Sequence, residues 1–168
     1  MGVQVINTMH EYYYSILSRG ETNDCVVRAF ASATGSDYQA AHDLCRLSLG
    51  RKSRKGTPGV VQFLTKGELL GKKVTQLGEG HADYINLESF PWARRMYTTY
   101  NNYCTVERKV VPVKRAMTVG TFLKLYTKGV YLIRIDAHMF TIKDGVVYGN
   151  TEDSRRLRAR VIHAWKVE

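Results

Sequence analysis

Thr22-Asn23-Asp24-Cys25-Val26-Val27-Arg28-Ala29-Phe30 is a polar turn that runs directly into an apolar, helix-forming segment. Asn23 and Asp24 are residue types favoured at helix N-caps. Val26, Val27, Ala29, Phe30 and Ala33 recur at the spacing that gives a helix one buried face. The pattern predicts a helix from Cys25 to Thr34, with Gly35 as its C-cap. Cys25 falls in the first turn, where free backbone N–H groups and the helix dipole favour a thiolate. A cysteine in an apolar helix is also common as inert packing, so its chemistry depends on partners elsewhere in the chain.

C-terminal to this segment, Ser36 or Asp37 is placed to cap a second helix, Tyr38 to Leu49, with Tyr38, Ala41, Leu44, Cys45 and Ser48 on one face. Arg51 to Gly56 reads as a basic loop, and Thr57-Pro58-Gly59 opens a third helix that ends near Gly71. N-terminal to it, Met1 to Gly20 reads as a lead-in. His10 to Leu17 within it suits a short helix or strand, and Tyr12-Tyr13-Tyr14 suits either base stacking or half-burial against a core. From Lys72 to Asn102 the periodicity fades. Leu77 to His81 is a glycine-containing loop without the Gly-Lys-Ser/Thr of a phosphate-binding motif, and Leu87 to Tyr100 is aromatic and basic.

The last third is patterned again. Val106 to Val113 reads as a strand closed by Pro112, and Thr118 to Thr127 as a short helix. Val130 to Ile135, His138 to Ile142, Gly145 to Tyr148 and Arg160 to Val167 read as strands by their β-branched and aromatic content. Helices first and an antiparallel sheet second is the α+β pattern. A chain of 168 residues suits one domain, with a helical part over about 1–71 and a sheet part over about 104–168.

The net charge is +10, with basic runs at Arg51 to Lys55, Arg94-Arg95, Arg108-Lys109 and Arg155 to Arg160. Such a balance favours nucleic acid or an acidic protein as a partner, or else a solvated surface. No stretch approaches the ~18 apolar residues of a membrane span, and Met1 to His10 has no secretory-signal pattern. Cys25, Cys45 and Cys104 are far apart, which excludes a zinc-knuckle spacing and a disulfide framework and fits a reducing cytoplasm. No His, Cys or carboxylate set has metal-ligand spacing, and no cofactor motif is present.

His138 opens one predicted strand and Asn150 closes the next, with the turn signal Lys143-Asp144-Gly145 between them. A two-residue loop at Asp144-Gly145 places His138 opposite Thr151 and Asn150 on the other face. A three-residue loop, which a Gly in third position favours, places His138 directly across from Asn150. An Asn side chain beside His138 would fix its tautomer and leave the other ring nitrogen to take a proton from a thiol. Asp153 is an alternative orienting residue close by.

Asn23-Asp24-Cys25-x-x-Arg28-Ala29, then Gly129-x-Tyr131-x-x-Arg134-x-x-x-His138, then Asp144-Gly145-x-x-Tyr148 and Asn150 resemble a set of papain-like fold proteins encoded by bacteriophages and other large DNA viruses. More distantly they are similar to papain-like cysteine peptidases, whose chain order is Cys, His, Asn or Asp. The resemblance covers residues 20–50 and 118–152. It implies a Cys25-bearing helix packed on an antiparallel sheet that carries His138 and Asn150, in a host cytoplasm or a virion. It implies thiol hydrolase or acyl-transfer chemistry on a protein or peptide-like amide or ester. Cys25 would be nucleophile, His138 base and Asn150 orienter, with Asn23 and the Cys25 N–H binding the oxyanion. Papain-like enzymes usually carry a Gln several residues before the Cys, whereas this chain has Arg19 six residues before it. Asn23, Thr22 and Arg19 are the substitutes at hand. The alternative is a basic binding protein that uses the same fold without turnover.

Overall fold

The computed structural model describes residues 2–77, 85–87, 105–106, 109–110, 113–115 and 117–168. By their contacts the residues group into two compact units, 1–77 with 118–168, and 78–117. In the smaller unit, β4 (Ile85–Leu87) pairs antiparallel with β7 (Val113–Arg115), and β5 (Thr105–Val106) pairs antiparallel with β6 (Lys109–Val110). The expected single strand over 106–113 is therefore interrupted: Val106 pairs with Lys109, so the chain doubles back within it. The loop expected at Leu77 to His81 and the aromatic, basic stretch Leu87 to Tyr100 lie outside the described residues, save Leu77 and Leu87 themselves.

The larger unit mixes α and β. Helix α3 (Cys25–Thr34) begins where the sequence places it, and Gly35 ends it at φ 72°, the left-handed conformation that a C-cap glycine adopts without strain. Helix α4 (Tyr38–Leu49) starts at Asp37, whose carboxylate accepts from the Ala40 N–H at 2.8 Å. Helix α5 is only Val60–Leu64. The helix expected up to Gly71 stops early because Gly67 turns the chain at φ 77°, and β2 (Glu68–Leu69) then pairs with β3 (Lys72–Leu77). Helix α6 (Val119–Leu125) is capped by Thr118, whose hydroxyl accepts from the Thr121 N–H.

A seven-stranded sheet runs through this unit in the order β1-β10-β9-β8-β11-β3-β2, with β1 Val5–Asn7, β8 Val130–Ile135, β9 His138–Lys143, β10 Val146–Gly149 and β11 His163–Val167. It corrects the expectation of a purely C-terminal antiparallel sheet. The N-terminal lead-in supplies edge strand β1, which pairs parallel with β10, and β2 and β3 extend the opposite edge. The remaining lead-in forms two one-turn helices, α1 (Thr8–Glu11) and α2 (Ile16–Arg19).

Alternation along the strands sets two apolar faces. Leu132, Met139, Trp165, Val167 and Val74 join Val27, Phe30, Tyr38, Ala41 and Cys45 of α3 and α4 in one core. Tyr131, one position from Leu132, meets Phe122 of α6 edge-on at 5.2 Å. The β9–β10 turn is the two-residue one: Val146 pairs with Lys143, and Asp144 and Gly145 both have positive φ, 47° and 79°. Two left-handed residues in succession match the right-handed strand twist, which makes Asp-Gly stable here. The three-residue register that would set His138 across from Asn150 is thereby excluded. The β9–β10 ladder ends at Tyr148 and Thr141, so His138, Met139 and Phe140 have no partner in β10. The N-terminal end of α3 meets β9 there.

Candidate active site

Cys25 is the first residue of α3 and is half-buried, and His138 is the first of β9 and is buried. They are separated by 113 positions in sequence and share a hydrogen bond in the fold. His138 Nε2 lies 3.0 Å from Asp153 Oδ2, which leaves Nδ1 as the ring nitrogen for the Cys25 sulfur. The Met139 backbone N–H, free of the β10 ladder, also donates to that sulfur.

These contacts set the charges. Burial raises the Cys25 pKa, but the His138 and Met139 hydrogen bonds and the charges of His138 and Arg28 outweigh it, so the thiol ionises below its usual range. Burial works on His138 in the opposite sense and is likewise outweighed. Asp153 and Cys25 stabilise the imidazolium and push its pKa up to about 9. The pair therefore favours thiolate and imidazolium, a nucleophile next to a proton donor. Cys45 shows the contrast: burial outweighs a hydrogen bond from Thr57 and the charge of Arg51, and its thiol is pushed up to about 11.

Asp153, not Asn150, is the residue that meets His138. The chain leaves β10 and enters a 3-10 turn, Thr151–Arg155, which carries Asp153 back under the ring. The Asn150 N–H donates to Asp153 Oδ2 at 2.7 Å and fixes that carboxylate. The Asn150 side chain turns to Arg28 instead and accepts from Nη1 at 2.8 Å. A signal for Asp153 lay in the sequence: Asn150-x-x-Asp153 has the spacing of an N-cap and an acidic N3 residue.

Asp24 precedes α3 but does not cap it with its side chain. Its two carboxylate oxygens accept from Arg28 Nε at 3.0 Å and from the Tyr38 hydroxyl at 2.8 Å. Arg28 Nη1 also donates to Thr8 Oγ1 at 2.7 Å. A buried polar network thus ties the start of α3 to α1, α4 and Asn150, and the Cys25 N–H is not taken by a side-chain cap.

Asn23 sits at φ 52°, and its amide donates to the Arg54 carbonyl at 3.1 Å, as the Thr22 hydroxyl does at 3.4 Å. The Arg19 guanidinium is held by the carbonyls of Tyr13 and Tyr14. None of these three lines the cleft. That cleft encloses about 560 Å³. Cys25 and Val26, then Arg134 and Ala137 to Met139, and then Gly56 to Gln62 form its walls. The Gly56–Gln62 wall was not recognised in the sequence. Gln62 supplies the one side-chain amide among the lining residues. Glu21 anchors the approach to that wall, accepting from Arg51 Nη2 at 2.6 Å and from the Arg54 N–H at 3.0 Å.

Among the described residues no group of three His, Cys, Asp or Glu side chains is placed to hold a metal ion, and no helix is long and apolar enough to cross a membrane. No family model, curated protein or solved structure matches this chain.

Proposed function

We propose that the chain is a papain-like thiol hydrolase acting on a protein or peptide-like amide or ester. One observation carries the reading: the hydrogen-bonded series Cys25, His138, Asp153 opening on a cleft. The Cys25 thiolate attacks the substrate carbonyl. Its negative charge passes to the carbonyl oxygen, which accepts from the Cys25 backbone N–H at the start of α3. Protonated His138 donates to the leaving amine or alcohol as the tetrahedral adduct collapses to a thioester. His138, now neutral, takes a proton from water, which attacks the thioester and releases the acid. Asp153 holds the ring and stabilises its imidazolium form. Asn23, engaged with Arg54, has no part in this scheme, and Asn150 acts only by holding Asp153 and Arg28.

Selective alkylation tests the reading. Iodoacetamide is expected to modify Cys25 faster than Cys45 or Cys104, and His138→Ala to slow it by about tenfold or more at pH 7. Equal labelling of the three thiols, indifferent to His138→Ala, refutes it.

A second reading draws on the loop beside the cleft, where Lys52, Arg54 and Lys55 are exposed. On that reading the protein is a basic binding module for nucleic acid or an acidic protein. Affinity for DNA or RNA that falls steeply with salt, together with an unreactive Cys25, is its expected signature.

A further inference from the structure

Arg134 belongs to the sequence motif before His138, yet the scheme above gives it no task. It sits on β8 directly across from Met139, the residue whose N–H holds the Cys25 sulfur, and it lines the cleft. Opposed residues in such a ladder have Cβ atoms ~5 Å apart, so its side chain starts close beside the thiol.

Three observations distinguish this guanidinium. First, Arg28 and Arg51, whose side chains are well buried, are matched by the carboxylates of Asp24 and Glu21. Among the described residues no carboxylate pairs with Arg134. Its hydrogen-bond contact there is His163 Nδ1, at 3.2 Å from Nη1. Second, a guanidinium has no acceptor, so His163 Nδ1 must accept and the ring is neutral. His163 stacks on Trp165 at 5.5 Å and 15°, and Trp165 is fully buried. Burial and the Arg134 charge push the His163 pKa down to about 4, so it orients Arg134 without neutralising it. Third, the lining of the cleft includes no Asp or Glu, while Arg134 and His138 both bring positive charge to it. A half-exposed guanidinium with donors to spare, held in one orientation, matches a carboxylate in a bidentate fork.

We propose that Arg134 is a specificity-determining residue that binds a carboxylate, so that the preferred substrate carries an acidic group beside the bond to be cleaved. The proposal rests on the thiol-hydrolase reading and names its substrate class. His163 is a positioning residue for Arg134.

The test compares two alkylating agents of nearly equal size on the full chain. Iodoacetate carries the carboxylate and iodoacetamide does not. The ratio of their rates at Cys25, read by mass spectrometry of the peptide, isolates the recognition of charge from the reactivity of the thiol. Arg134→Gln is expected to lower that ratio roughly three- to tenfold, because His138 remains to attract anions in both proteins. Arg134→Lys should keep a ratio above that of Arg134→Gln. Lys124→Gln, which removes an exposed charge on α6, should leave the ratio within about twofold of the wild type. A second arm needs no variant: succinate should protect Cys25 of the wild-type chain from iodoacetamide, and succinamide should not. A ratio unmoved by Arg134→Gln, or equal protection by the two compounds, overturns the assignment while Cys25 still labels selectively. Loss of selective labelling at Cys25 in the wild type is a different result; it removes the hydrolase reading and this inference with it.

Discussion

Gly149 lies against Asp153 so closely that a methyl group on Gly149 would overlap the Asp153 Oδ2 oxygen and come within 3.0 Å of Phe140 Cβ. That oxygen is the one that holds His138. Gly149→Ala is therefore expected to displace the carboxylate and to cost about 1–3 kcal/mol by overpacking. The expected readout is a slower iodoacetamide reaction at Cys25, together with a lower melting temperature. Wild-type labelling in Gly149→Ala would mean that Asp153 has room the geometry does not show.

Asp153 and Asn150 are separable by one titration. His138 should titrate near 9 in the wild type, followed by NMR of the ring. In Asp153→Asn the anion is gone while the burial and the Cys25 contact remain, so the value should fall well below that of the wild type. In Asn150→Ala it should stay near 9, because the Asn150 contribution to Asp153 is a backbone N–H. That variant should still lose about 1–3 kcal/mol, since Arg28 Nη1 is left short of an acceptor. A His138 pKa that moves with Asn150→Ala and stays put with Asp153→Asn would restore the sequence-based assignment of Asn150.

The pH profile of alkylation carries a sign of its own. The Cys25 thiolate is favoured by His138 and by the Met139 N–H, so its reaction with iodoacetamide should rise at a pH below the 9.0 of an ordinary thiol. His138→Ala removes the imidazolium and leaves the burial in place. The inflection should then move upward, with the rate at high pH much less affected than the rate at pH 7. An inflection that stays where it was in His138→Ala would sever the link between the two residues.

How far the sequence reached is clear from where it stopped. Helix α3, helix α4 and the strands at 130–135 and 138–143 were legible because caps, apolar period and β-branched content all agree there. Cys25 and His138 were legible as chemistry-bearing residues at the two element starts. The third residue was not fixed, because a change of one residue in the Asp144-Gly145 turn decides which side chain faces His138, and two turn types suit that sequence. Strand β1 was missed for a different reason. Val5–Asn7 is three residues long, and its stability comes from parallel pairing with Val147, Tyr148 and Gly149, a partner 142 positions away that leaves no local trace. Gly56 to Gly59, the first part of the cleft's third wall, have no apolar period, since their backbone is set by Gly59 at φ 65° and by the Glu21 anchor of the preceding loop, while Val60 to Gln62 belong to α5.

His163 gives the last expectation, on stability in acid. Its pKa is pushed from 6.5 to about 4 by burial and by Arg134, so the folded protein binds its proton less readily than the unfolded chain does. The neutral ring's contribution is fully present above pH 6.5, and it is lost as pH falls from there through about 4. The ring is partly exposed, so after screening the contribution is about 1 kcal/mol. His163→Gln keeps an acceptor for Arg134 and cannot be protonated in this range. Its melting temperature should therefore fall less than that of the wild type between pH 7.5 and 4.5. Parallel losses in the two proteins would show that His163 is charged, or solvated, in the native state, and that Arg134 is not oriented by a neutral ring.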